Sequence, residues 1–67
     1  MPTWAVHWSD AVRPNHSAAV EMVEADELRS TGRWHVFERV EMVLLEARWV
    51  VVRRVPRRDA AKVERTD

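Results

Sequence analysis

The chain has 67 residues, with eleven acidic and eleven basic side chains, a net charge of zero and no cysteine. Disulfides, thiolate zinc sites and cysteine nucleophiles are therefore excluded, and a chain this short buries only about 60% of the surface its unfolded form exposes. A single small domain over residues 1–67 is expected, helped by something beyond its own core: a partner subunit, a ligand or unusually dense packing.

At 46% hydrophobic and 33% charged residues, the sequence lies outside the disordered class. Ten of the eleven basic residues are Arg, Val occurs twelve times, and Ile, Tyr and Gln are absent, usage that fits a GC-rich bacterial genome. No stretch approaches the roughly 18 apolar residues of a membrane span, and Met1-Pro2-Thr3-Trp4 lacks the basic start and apolar run of a signal peptide. A cytoplasmic protein with no membrane partner is the expectation.

In chain order, Thr3 to Trp8 alternates, with Trp4, Val6 and Trp8 on one side, which predicts a half-buried strand over 3–8. Ser9 to His16 contains Ser-Asp and Pro-Asn pairs and reads as a loop. Asn15 or Ser17 then serves as N-cap to a helix over 16–29, rich in Ala, Glu and Met, although Val20, Val23 and Leu28 spread around it rather than forming one stripe. Gly32 is a natural stop.

From Arg33 two periodicities compete. At helical spacing Val36, Phe37, Val40, Val43, Leu44 and Ala47 form a stripe; at strand spacing Trp34, Val36, Val40, Met42 and Leu44 share a face interrupted by Glu38. The next segment, Arg48 to Val55, is β-branched and ends at Pro56, and a strand needs a neighbour. Strands over 33–45 and 48–55 are predicted to fold back around Glu46-Ala47, with Trp49 near Leu44, Val51 near Met42, and Arg53 near Val40 and paired with Glu38. Neither turn residue readily takes positive φ, so this register is open to slippage. Asp59 is predicted to cap a short helix over 57–65. The expected fold is α+β: an antiparallel sheet of about three strands, one helix packed on it and a short C-terminal helix. The stretch from Arg48 to Glu64 is similar to the last strand and helix of small three-stranded DNA-binding modules, but it has no diagnostic motif and no residue role follows from it.

The chemistry that the sequence supports is binding rather than catalysis. His7, His16 and His35 lack metal-ligand spacing, one glycine cannot build a phosphate-cradling loop, and a domain this small rarely hollows out the roughly 300 Å³ of a ligand pocket. No catalytic residue, metal or cofactor is assigned. Two features stand out instead. Residues 1–32 carry a net charge of −3 and residues 33–67 a net of +3, with Arg53, Arg54, Arg57 and Arg58 around Pro56 as candidate phosphate or partner contacts. Four tryptophans, Trp4, Trp8, Trp34 and Trp49, fall on the predicted core-facing sides of strands, and Trp34 and Trp49 join the arginines as candidate contacts, since Trp and Arg are enriched at binding hot spots. The expectation is a non-enzymatic, homo-oligomeric interaction module that binds itself or another protein. The alternative is a nucleic-acid-binding accessory protein using the same arginines.

Overall fold

A computed structural model describes residues 2–9 and 19–66, and three quarters of these lie in six strands. They are β1 (Thr3–Trp8), β2 (Val20–Glu24), β3 (Glu27–Ser30), β4 (Trp34–Val43), β5 (Glu46–Pro56) and β6 (Ala60–Arg65). Two antiparallel three-stranded sheets result, ordered β2-β1-β6 and β3-β4-β5. Among the described residues there is no α-helix, so the α+β expectation is overturned and the architecture is all-β.

Both predicted helices give way to strands for the same reason. Helix propensity amounts to a few tenths of a kcal/mol per residue and yields to tertiary pairing. The segment predicted as helix 16–29 instead supplies β2, which runs antiparallel to β1 with Ala5 opposite Met22 and Trp4 opposite Val23, and β3, which pairs with β4. Its scattered apolar residues are explained by this, because Val23 and Leu28 belong to different sheets. Residues 16–18, both proposed N-caps and most of the predicted loop lie outside the described residues. In the predicted helix 57–65, only Arg57–Asp59 forms a single 3-10 turn, with Asp59 inside it, and Ala60–Arg65 adds to the other edge of β1, setting Val63 opposite Val6. The likeness of Arg48–Glu64 to a strand followed by a helix fails at the same point.

The β4–β5 hairpin forms, but its turn is Leu44-Leu45, two residues earlier than predicted. Val40 therefore faces Trp49 and Met42 faces Ala47. Both leucines take positive φ, 50° and 69°, the backbone that fits the twist of a two-residue hairpin and that Asn-Gly usually supplies. The register also shifts between Phe37 and Glu38: Phe37 faces Arg53 while Glu38 faces Val51, which leaves Val52 as the extra residue of a bulge. Because faces alternate along a strand, that single residue reverses the side on which every later residue of β5 lies. Trp49 and Val51 share a face with Val40 and Met42, whereas Arg53 and Val55 turn to the opposite side with Phe37 and His35. Glu38 accordingly pairs with Arg29 at 3.4 Å rather than with Arg53.

The core comprises Val6, Trp8, Val23, Ala25, Phe37 and Val55, with Trp4, Leu28, Ala60 and Val63 packed against it. Trp4 meets the Phe37 ring edge-on at 6.2 Å and donates from Nε1 to the Ala25 carbonyl at 3.0 Å. Only Trp4 and Trp8 of the four tryptophans serve this core; Trp34 and Trp49 are 38% and 52% exposed, against the expectation that all four face inward. Beyond the core the hairpin runs on into solvent. The Cα radius of gyration is 13.1 Å, where a compact chain of this length would give about 11 Å, and the molecule measures 44 × 25 × 18 Å. Among the described residues no helix is long and apolar enough to cross a membrane.

Candidate functional site

At the base of the hairpin, the turn from β3 to β4 is tied down by short hydrogen bonds. The Thr31 amide donates to the Trp34 carbonyl at 2.8 Å, the Trp34 amide donates to Thr31 Oγ1 at 3.1 Å, and the Arg57 amide donates to the Arg33 carbonyl at 2.8 Å. Arg57 Nη1 also donates to the Thr31 carbonyl at 2.8 Å, locking the 3-10 turn against the β3–β4 turn. Between the two turns lies an open depression of about 640 Å³, lined by Gly32, Arg33, Trp34, Pro56, Arg57 and Arg58. It exceeds the size expected for so short a chain because it lies on the surface, between two turns, and takes nothing from the core. Gly32 forms part of its wall without needing glycine's conformational freedom, since it has no positive φ and open space where a Cβ would stand.

The depression is basic. Arg54 lies over the Trp34 ring at 5.3 Å, and the only carboxylate within ion-pair reach of these guanidinium groups among the described residues is Asp59, 4.0 Å from Arg58. Most other cations of the described residues are matched, Arg29 with Glu38, Arg39 with Glu41, Lys62 with Glu64 and Arg53 with Glu21, while Arg48 has no ion pair. The positive field reaches His35, whose imidazole is held below its ordinary range first by burial and then by Arg57.

Of the candidate residues read from the sequence, Trp34, Arg54, Arg57 and Arg58 come together here, joined by Arg33. Arg53 does not. The Val52 bulge turns it inward, where Nε and Nη2 grip Glu21 at 2.9 and 3.2 Å and the guanidinium stands 5.9 Å from the centroid of the Trp8 ring. That bond to Glu21 raises the Arg53 pKa further, so it is a fixed cation in a structural pair.

Trp49 belongs to a second feature at the other end of the hairpin. Val40, Met42, Trp49 and Val51 line one face of the projecting ladder, 39%, 67%, 52% and 50% exposed, and Leu44 and Leu45 at the tip are 93% and 96% exposed. The reverse face is mainly charged, carrying the Arg39–Glu41 pair at 3.1 Å and Arg48 directly opposite Glu41, with Val50 and the 39% exposed Val43 among them. The projecting half is thus amphipathic, and among the described residues nothing covers its apolar side. Sequence reasoning missed Arg33, whose only signal is its place beside Gly32 and Trp34, and the two leucines, which carry none of the usual turn chemistry. No group of three His, Asp or Glu side chains suited to a metal ion occurs among the described residues.

Comparison with family models, with curated proteins and with solved structures yields no match, so the functional reading rests on geometry.

Proposed function

We propose that this protein is a non-enzymatic interaction module that self-associates through the apolar face of its β4–β5 hairpin. The observation that carries the reading is the unbroken outward row Val40, Met42, Trp49 and Val51, continued by Leu44 and Leu45 at the tip. Together these side chains expose apolar surface on the order of several hundred Å², the range that marks interaction sites, and close to the ~800 Å² per partner of a standard interface.

A second copy is the occupant this surface fits. The patch is one-sided and rich in side chains that pack equally well against their own kind, and two sheets stacked on such faces form an ordinary sandwich interface about 10 Å thick. A two-fold arrangement lets Trp49 and Met42 of one protomer meet the same residues of its partner. The charged reverse face stays in water, so no ion pair has to be broken. The cytoplasmic setting expected from the sequence belongs to the same proposal.

Size-exclusion chromatography with light scattering tests it. The expected result is a dimer at micromolar concentration that reverts to monomer in the double variant Met42→Glu, Trp49→Glu, with the β-sheet circular dichroism unchanged. A wild-type chain that remains monomeric at high micromolar concentration overturns the reading.

A further inference from the structure

Among the described residues, only around Trp34 do several arginines without a close carboxylate gather at one depression; Arg48, on the projecting part of the hairpin, has no ion pair either. Arg29, Arg39, Arg53 and Lys62 each have a carboxylate within 3.4 Å, whereas Arg33, Arg54 and Arg57 have none among the described residues and Arg58 has only Asp59 at 4.0 Å. Like charges gathered without counterions are unfavourable unless an anion completes them. Together with Pro56, the arginines around Trp34 surround its indole, in a depression wide enough for one nucleotide.

We infer that this depression binds single-stranded nucleic acid, with one unstacked base on the Trp34 indole and flanking phosphates held by Arg33, Arg57 and Arg58. Guanidinium groups suit phosphate because they bond it in a bidentate fashion, and an aromatic side chain accepts any base by stacking. Arg54 has a distinct part. An exposed cation–π contact is weaker than base–aromatic stacking, so an incoming base replaces Arg54 over the ring and frees its guanidinium for a neighbouring phosphate. The hydrogen bonds of Thr31, Trp34, Arg33 and Arg57 hold the two turns in place beforehand, so little ordering is required on binding. An acidic protein surface would use the guanidiniums but leave the indole idle, and a base pair in a duplex keeps its faces stacked, so neither fits the aromatic as well.

Fluorescence anisotropy of a short fluorescein-labelled oligothymidylate tests this on the full chain. Binding is expected at about 50 mM salt and to weaken as salt rises, with a log–log slope near ~3 for four phosphates, one each on Arg33, Arg54, Arg57 and Arg58, at about 0.7 each. Arg58→Ala and Arg33→Ala, both at exposed positions, should each reduce the slope by about 0.7. Trp34→Ala should weaken binding about tenfold at every salt concentration without changing the slope. Lys62→Ala, which removes one positive charge from a paired site on β6, should leave both unchanged. Circular dichroism confirms the fold of each variant, and the arginine variants carry the test if Trp34→Ala does not fold. No binding at low salt overturns the inference. So does competition by polyglutamate as effective as by unlabelled oligothymidylate, which points to an acidic protein partner, or equal affinity for a duplex of the same length.

Discussion

From Trp34 to Phe37 on β4 and from Arg53 to Pro56 on β5, the ladder turns Phe37 and Val55 into the core and both are fully buried; from Glu38 to Val51 the same two strands leave the body and hold Met42 and Trp49 in solvent. The halves have similar composition and the same alternation. What separates them is the bulge at Val52. On β4, which carries no extra residue, Trp34, Val36, Val40 and Met42 share one face along the whole strand and Phe37 lies on the other; Val36 on that shared face is buried at the base, whereas Val40 and Met42 are exposed beyond it. On β5 the bulge changes which alternate residues point inward, delivering Val55 to the core and Arg53 to Glu21 while keeping Arg54 outside over Trp34. Strand alternation divides the two adjacent arginines, and the one unpaired residue decides that Arg53 goes to the structural pair and Arg54 to the solvent-facing site.

The sharpest way to break this comparison is to truncate matched side chains in the two halves. Phe37→Ala should cost about 3–5 kcal/mol, enough to unfold most of the population of so small a domain, because it empties a fully buried position facing Trp4. Met42→Ala should stay within about 0.5 kcal/mol in the dilute monomer, since that side chain is already 67% exposed. Urea denaturation at low concentration reads both, and comparable losses would mean that the projecting half is packed like the base.

The tip gives the next largest effect, of opposite sign. Left-handed backbone costs a residue other than glycine about 1–2 kcal/mol, and at Leu44 and Leu45, almost fully exposed in the monomer, no packing offsets it. The double change Leu44→Asn, Leu45→Gly should therefore stabilise the monomer by about 2 kcal/mol, and at 4–8 °C per kcal/mol raise its Tm by roughly 10 °C, while weakening self-association. A Tm that falls would show that the leucines are packed rather than strained.

The smallest effect concerns the base. The His35 pKa is lower in the folded chain than its ordinary value of 6.5, so the unfolded chain takes up the proton first. Stability is at its full value above pH 6.5 and declines as pH falls through 6.5 towards the folded-state value, and His35→Asn should flatten that decline. Glu64 contributes in a separate, more acidic window: its hydrogen bonds from Lys62 and then His7 hold it below 4.5, and what it adds is lost as pH drops through its folded-state value. Denaturation midpoints across both ranges distinguish them.

What the sequence made legible follows from which signals are local. The alternation of Trp4, Val6 and Trp8 marked β1, and the run Trp49 to Val52 marked β5 as a strand that folds back on β4. Three things depended on non-local pairing. Residues 20–24 and 60–65 have helix-forming composition and became strands only because β1 offers two edges to fill. The outer rows of β4 and β5 have the same spacing whether they face core or water, so Trp34 on β4 and Trp49 on β5 read as buried. The bulge at Val52 has no glycine to announce it, and for that reason Arg53 read as a companion of Arg54, Arg57 and Arg58 instead of a partner of Glu21. Arg54, Arg57 and Arg58 were visible as a cluster around Pro56 because the strand end and the turn after it keep them close in sequence, whereas Trp34 and Arg33 reach them only through the β4–β5 pairing.

Among the described residues, β5 is paired only with β4, so its other edge presents free backbone groups alongside three consecutive valines, Val50 to Val52, the kind of template that recruits further strands into fibres. Arg48 and Arg54, both exposed, bracket those valines. In-register addition of a second β5 would stack arginine on arginine about 4.8 Å apart at both ends of the run, a repulsion that acts as a gatekeeper against open-ended growth. Salt screens such repulsion, so the solubility limit of this protein should fall, and β-rich aggregates appear, as ionic strength rises.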